Sequence, residues 1–293
     1  MPVVAYARSM ARYVPLREFL VGVEGLALMR HLFVGEDAAA ERRIDEVRRI
    51  TGGAEEDLFA AGIEVPELDA RSGYAAWSET YDRPGNPLIS VEAPAVVKLL
   101  RESPPGRAVD AACGTGRHAR WLADHGHEVL GVDASPEMLE RARLNVPSAR
   151  FMQGDLRRLP IDTASAHLVV CALALEHLPE LTPPVRELAR ITRQGGRVVI
   201  STIHPVLAAL GGAAYFQAAD GSGAVVRVHR HPHGDYLEAF ADAGLEAKRC
   251  VEPAFSRAEA AMQGPATALI ADATEAAYVG LPAALIWDLR RAR

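Results

Sequence analysis

Residues 109–120 read VDAACGTGRHAR, and the reading of the whole chain starts from them. Ala108 and Val109 form the apolar approach of a buried strand, and Asp110 stands at its carboxyl end. Gly114 and Gly116 let the backbone bend sharply and approach a ligand without a Cβ in the way. Arg117 to Ala123 has the composition of a helix. A strand, a glycine turn and a helix start in this order aim free backbone N–H groups at whatever sits above them. A short glycine pattern also serves as a plain tight turn, so the residues on its C-terminal side have to decide between the two.

Downstream, strands and helices alternate. A strand over 128–132 ends in Asp133, and Ser135-Pro136-Glu137 starts a helix with Ser135 as N-cap and Pro136 at the first position. A third strand over 149–153 runs into Gly154-Asp155. The continuous apolar run 166–171 is a fourth, a helix over 184–192 comes next, and the Val/Ile-rich 197–202 is a fifth. Unbroken apolar strands separated by helices imply a parallel sheet covered on both faces, a doubly wound α/β fold. Ligands in such sheets bind beyond the carboxyl ends of the strands. Asp110, Asp133 and Asp155 all fall there. Asp133 comes 23 residues after Asp110, the place of an acid that receives ribose hydroxyls. Each alone would pass for a turn or cap aspartate. An acid at the mouth of the glycine turn suits a cofactor carrying an ammonium group better than a diphosphate.

Upstream, Pro15 opens a helix with Leu16, Phe19, Leu20, Val23, Leu26 and Ala27 at helical spacing. A second helix spans 36–50 until Gly52-Gly53, and Leu58 and Phe59 suggest a short third. Residues 1–72 are thus expected to be a helical appendage, capping the main domain or pairing two copies as a homodimer through these helices. Tyr74, Trp77 and Tyr81 then share one helical face, as a core stripe or a cover for a ligand. The main domain is placed at 73–293.

Bulk properties agree with a globular enzyme. The chain has 293 residues, 49% hydrophobic and 24% charged, enough for one large domain and an appendage. A net charge of −6 argues against nucleic acid as a partner. The longest apolar run is too short to span a membrane, and arginines interrupt the N-terminal apolar stretches, so neither membrane nor signal peptide is expected. The three cysteines are scattered, which indicates no disulfide framework and fits a reducing cytoplasm. Only two basic residues, Lys98 and Lys248, are lysine, a bias consistent with a GC-rich bacterial genome.

VDAACGTG, GVDASPEML, GDLRRLP and LARITRQGGRVVIST, in this order, resemble the successive motifs of class I S-adenosylmethionine-dependent methyltransferases of the small-molecule type, with a ubiquinone-biosynthesis-like core. The resemblance covers about 74–202 strongly and the rest more weakly. It implies a seven-stranded, mainly parallel, Rossmann-like sheet ending in an antiparallel strand, with S-adenosyl-L-methionine as cofactor and S-adenosyl-L-homocysteine as product. Carried over by position, Gly114 and Gly116 would line the methionine part, beside Ala112. Asp110 would serve the ammonium through water, and Asp133 the ribose hydroxyls. Ala134 and Met138 would pack on the adenine, Asp155 and the Leu156 N–H would meet its edge, and Cys171 and Ala172 would border the sulfonium. Tyr74 and Tyr81 would belong to an aromatic helix closing over the cofactor. The family commonly has glycine where Ala112 stands, a change tolerated if φ there is negative.

After the fifth strand come His204-Pro205 and an insertion, about 204–232, with a DGSG turn, read as a hairpin lid. The run His229, His231, His233 has no acidic or cysteine partner nearby in sequence, so no metal is expected. Among the ten histidines, His204 is the first choice for a general base and His177 the second, with His229 and Tyr215 behind them. The expected activity is methyl transfer to O, N or C of a small, largely apolar acceptor of bacterial specialised metabolism. The alternatives are a fold relative that binds the cofactor for another reaction, such as cyclisation, and an NAD-dependent oxidoreductase.

Overall fold

The computed structural model describes residues 11–52, 59 and 62–292. They fall into two compact units. Of the described residues, the first takes those up to 67 with 85–91 and 254–281, and the second takes 68–84, 92–253 and 282–292.

In the first unit the expected helices occupy Leu16–His31 and Asp37–Thr51. Three short helices from much later in the chain, Arg257–Ala260, Pro265–Leu269 and Ala271–Tyr278, join them. Leu20, Val23, Ala27, Ile50 and Phe59 pack against Ala266, Ile270, Ala273 and Ala277 in one buried cluster. Arg30 ties the two groups by donating to the carbonyls of Ala277 (2.5 Å) and Val279 (2.8 Å), satisfying the open end of the last helix. The sequence pattern did not suggest the antiparallel pair Ala11–Pro15 and Gly62–Leu68. The short helix expected at Leu58 and Phe59 lies outside the described residues apart from Phe59, which is buried.

The second unit opens with helix α1 (Ala70–Trp77), capped by the Asp69 carboxylate on the Ser72 N–H. Helix α2 (Pro87–Leu100) leads into it from the first unit. Next in order are β1 (Arg107–Ala111), α3 (Arg117–Asp124), β2 (Glu128–Asp133), α4 (Pro136–Asn145), β3 (Arg150–Gln153), β4 (Ala166–Ala172), α5 (Thr182–Ile191) and β5 (Thr192–Ile203). After helix α6 (Pro205–Ala209), strands β6 (Ala214–Gln217) and β7 (Gly223–Val226) form an antiparallel hairpin. Helix α7 (His233–Asp242), β8 (Leu245–Val251) and β9 (Ala284–Arg291) complete it.

The main sheet has seven strands in the order β8-β9-β5-β4-β1-β2-β3. The five on the β3 side are parallel; β9 runs antiparallel to β5 and to β8, so β8 at the far edge again points the way the five do. Val198, Val199, Ile200, Leu285 and Ile286 are completely buried, which is why these strands read as continuous apolar runs rather than alternating ones. The order reverses between β1 and β4, so their carboxyl ends splay and leave a crevice.

A pair of opposite charges is buried inside this apolar sheet. Arg197 makes a two-pronged ion pair with Asp288 of β9 (Nε to Oδ1 2.6 Å, Nη2 to Oδ2 2.9 Å) and donates to the Leu99 carbonyl at 2.7 Å. Both side chains are at most 5% exposed. Removing Asp288 leaves the buried Arg197 with only the half-exposed Glu102, 3.4 Å away, to balance its charge. Asp288→Ala is expected to lower unfolding stability by about 3–5 kcal/mol, measured by urea denaturation.

Candidate active site

The carboxyl ends of β1, β2, β3 and β4 border a cleft of about 610 Å³. Asp110, Asp133 and Asp155, one from each of the first three strands or the residues just past them, all line it. Register explains the convergence: Asp110 sits opposite Gly131 in the β1/β2 ladder, and Asp133 opposite Gln153 in the β2/β3 ladder.

The glycine turn leaves β1 in left-handed backbone. Ala112 has φ 60°, Gly114 52° and Gly116 89°. The negative φ under which Ala112 would be an easy substitute for glycine is therefore not what the chain adopts. Leu173, the first residue past β4, is also left-handed (φ 50°) and also lines the cleft. Such a conformation costs a non-glycine residue about 1–2 kcal/mol. The turn is held by the Cys113 N–H on the Val132 carbonyl (3.0 Å) and by Asp133, which accepts from Gly114 N at 2.8 Å and Ser135 N at 2.9 Å. A Cβ built on Gly114 would meet nothing within 4 Å, so the turn is open towards the cleft.

Asp110 is buried and accepts from the Ala119 N–H through Oδ2 at 2.8 Å. Among the described residues its Oδ1 accepts no hydrogen bond. Burial pushes its pKa up to about 6, against the pull of His118. Burial likewise raises Asp133, although the backbone N–H groups of Ser135, Gly114 and Ala134 favour its charged form. Asp155 differs, being half-exposed and paired with Arg157 at 2.5 Å, whose hydrogen bonds lower its pKa.

The other wall is aromatic. Helix α1 ends at Trp77, earlier than the stripe suggested, and Tyr81 lies in the turn after it. The three rings nonetheless pack together: Tyr74 stacks on Trp77 (5.7 Å), Trp77 meets Tyr81 edge-on (5.0 Å), and Phe216 of the hairpin stacks on Trp77 (5.0 Å). Tyr74 and Tyr81 line the cleft. Burial pushes the Tyr81 phenol up to about 12 and raises that of Tyr74 well above its usual value.

His177 closes this wall. Its Nδ1 lies 2.7 Å from the Arg227 carbonyl and its Nε2 2.9 Å from the Tyr74 hydroxyl. A carbonyl only accepts, so Nδ1 carries the proton and Nε2 accepts from Tyr74. Burial holds the pKa of His177 down to about 4. Behind it, Glu176 is buried, accepts from Thr202 Oγ1 at 3.2 Å and Ile203 N at 3.4 Å, and is pushed by burial up to about 7.

Of the positions expected to hold the cofactor, Tyr74, Tyr81, Asp110, Ala112, Gly114, Asp133, Ala134, Asp155 and Leu156 line the cleft. Gly116, Met138 and Cys171 do not. Gly116 is the N-cap of α3, where a Cβ would come within 3.1 Å of Val146. Met138 is fully buried in α4. Cys171 points into the sheet core while its neighbour Ala172 faces the cleft, as alternation along a strand requires. His204 is also elsewhere. It is buried, its Nδ1 accepts from the Val206 N–H (3.2 Å) to cap α6, and its Nε2 meets Glu252 at 2.9 Å, so both ring nitrogens are taken.

His204, His233 and Glu252 bring three ligand-type atoms within 4.8 Å of one another. The Val206 N–H on Nδ1 places the His204 proton on Nε2, the atom that points at Glu252. The two histidines are thus wired as donors to the Glu252 carboxylate. Of the His229, His231, His233 run only His233 joins it, while His231 bonds to the Leu178 carbonyl at 2.8 Å. Sequence reasoning missed Arg71, Arg117, His118, Gln153 and Leu173, which also line the cleft. Arg71 had a signal, since it is three residues before Tyr74 on one helix.

A family model described as a methyltransferase domain matches residues 109–200. A solved S-adenosylmethionine-dependent methyltransferase from Mesorhizobium loti is 25% identical, with a TM-score of 0.52 over 69% of this chain and 98% of that one. Residues 109–200 form a class I S-adenosylmethionine-dependent methyltransferase domain. Among curated relatives, a malonyl-[acyl-carrier protein] O-methyltransferase from Erwinia pyrifoliae is 39% identical over 110 residues, 36% of this chain and 42% of the relative. A demethylmenaquinone methyltransferase from Deinococcus radiodurans is 36% identical over 122 residues, 39% of this chain and 51% of the relative. The chain thus spans about half the length of these two relatives. Among the described residues no helix is long and apolar enough to cross a membrane.

The cleft of this methyltransferase domain suits its cofactor. A buried carboxylate with an unused oxygen fits an ammonium, and Asp133 beside the open turn fits a ribose. Protonation of Asp110 removes the charge that attracts the ammonium. Affinity for S-adenosylhomocysteine, measured by calorimetry, is therefore expected to fall as pH drops through about 6, and Asp110→Asn to weaken binding and flatten that dependence. Ala112→Gly is expected to raise stability by about 1 kcal/mol by relieving the left-handed strain, seen as a higher unfolding midpoint.

Proposed function

We propose that the chain transfers a methyl group from S-adenosylmethionine to a hydroxyl oxygen of a small, largely apolar organic acceptor. The hydrogen bond between Tyr74 and a neutral His177 at the cleft wall carries this reading. S-Adenosylmethionine supplies the methyl group on a sulfonium, an excellent leaving group. Asp110 and Asp133 hold the cofactor's cationic and ribose parts, and the rigid turn fixes their positions, so orientation provides much of the acceleration. The acceptor hydroxyl still has to lose a proton.

His177 Nε2, unprotonated and bonded to the Tyr74 hydroxyl, is placed to receive it. As oxygen–carbon bonding develops, the acceptor proton passes to the Tyr74 oxygen and the Tyr74 proton to His177 Nε2. The imidazolium then donates through both nitrogens, to Arg227 and back to Tyr74. Tyr74, Tyr81, Leu156, Leu159 and Leu178 supply an apolar lining that admits an organic body and keeps water out. The bacterial methyltransferases among the relatives support a metabolic acceptor, and a place in specialised metabolism of the cytoplasm remains part of the proposal. Two buried carboxylates would repel a diphosphate, which disfavours the NAD-dependent alternative.

With saturating cofactor, Tyr74→Phe and His177→Gln are each expected to lower kcat by about 10²–10⁴-fold, measured by transfer of labelled methyl to host-extract metabolites. A group held at about 4 is already deprotonated above pH 5, so kcat should not show a histidine inflection near 6.5. Full activity in both variants would leave the pair without a chemical role.

A further inference from the structure

Three guanidinium groups line the cleft: Arg71, Arg117 and Arg157. Two are neutralised by partners. Arg117 donates to the buried Glu92 at 2.7 Å, where its charge, with that of His118, overcomes burial and holds Glu92 down to about 2. Arg157 is paired with Asp155 at 2.5 Å. The side chain of Arg71 has no ion pair or hydrogen bond among the described residues. Its nearest acid in sequence, Asp69, is committed to Ser72, accepting from its N–H and its hydroxyl at 3.0 Å each. Arg71 also lies in the first turn of α1, which contains no acidic residue and where the helix dipole disfavours a cation. Among the described residues no acidic side chain pairs with Arg71 to offset that cost.

The charges of the cleft therefore separate. Once the internal pairs are set aside, Asp110 and Asp133 remain for the cationic cofactor, and Arg71 remains alone on the aromatic side. Arg71 and Tyr74 are three apart on α1, so their Cβ atoms are neighbours about 5–6 Å apart. We propose that the methyl acceptor carries an anionic group, a carboxylate or a phosphate, that Arg71 binds while the acceptor hydroxyl faces Tyr74. This deepens the methyl-transfer reading above and rests on it. A planar fork of donors matches either anion, and the exposed position of Arg71 places that group where the cleft meets solvent.

The test is binding, so it does not depend on turnover. The protein loaded with S-adenosylhomocysteine is titrated with 4-hydroxyphenylacetate, 4-hydroxybenzylphosphonate and the neutral 4-hydroxyphenethyl alcohol. At least one anion is expected to bind ten-fold or more tightly than the alcohol, and the better of the two tells carboxylate from phosphate. Arg71→Gln should abolish the preference, and Arg71→Lys should keep part of it. Affinity for S-adenosylhomocysteine, measured alongside, reports that each variant is folded. No preference for either anion in the unaltered protein, or a preference that survives Arg71→Gln, overturns the proposal. A wrong choice of base would show instead in the kcat of the Tyr74 and His177 variants, leaving the anion preference in place.

Discussion

A single carboxylate bridges the two loops that make the cofactor cleft. Asp133 accepts one N–H from the glycine turn after β1 and another from the start of α4, so the ends of two neighbouring strands are clamped to each other. The clamp works because nothing stands between them. Gly131 has no side chain, and a Cβ there would lie 2.4 Å from Phe151 and 3.0 Å from Cys113 Sγ. With the turn fixed against β2, Ala119 is presented to Asp110 and the first turn of α3 is set. The rest of the cleft depends on this: misplace the turn and the buried carboxylates no longer share a rim.

The arrangement is costly, and the cost is local. Ala112 and Leu173 both turn left-handed directly after a strand, and both border the cleft. Two carboxylates stand in a poorly hydrated place, with their pKa values raised by burial. A cation bound between them would favour their ionised forms and recover part of that penalty. The fully buried central strands, with helices on both faces, supply the rigidity that holds such conformations.

Much of this was legible in the chain. The apolar runs at 166–171 and 197–202 marked central strands because burial on both faces removes alternation. Three aspartates at strand ends were readable as one rim because strand order in a parallel sheet puts all carboxyl ends on one side. What escaped had non-local causes. His204 looked like a base from its place after β5, but its partner Glu252 is 48 residues away and no periodicity announces it. The left-handed turn at Ala112 belongs to a residue that gives no sign of it. The strand Gly62–Leu68 contains Pro66, and its one buried residue, Val65, stands beside an exposed Ile63 and Glu64, so it lacked a strand's apolar signature. Arg71 became noticeable only when the partners of the other two arginines were known.

Helix Leu16–His31 finds its packing partner, Ala271–Tyr278, some 250 residues later. On a ribosome the nascent helix must therefore wait, its apolar stripe only partly covered by Ile50 and Phe59, while most of the polypeptide is made. The sheet of the second unit, apart from its late strand β9 and the β8 that pairs only with it, is assembled from nearer neighbours and can begin to form meanwhile. Chaperones that shield early apolar helices would then matter more for the yield of this protein than for the stability of its finished form.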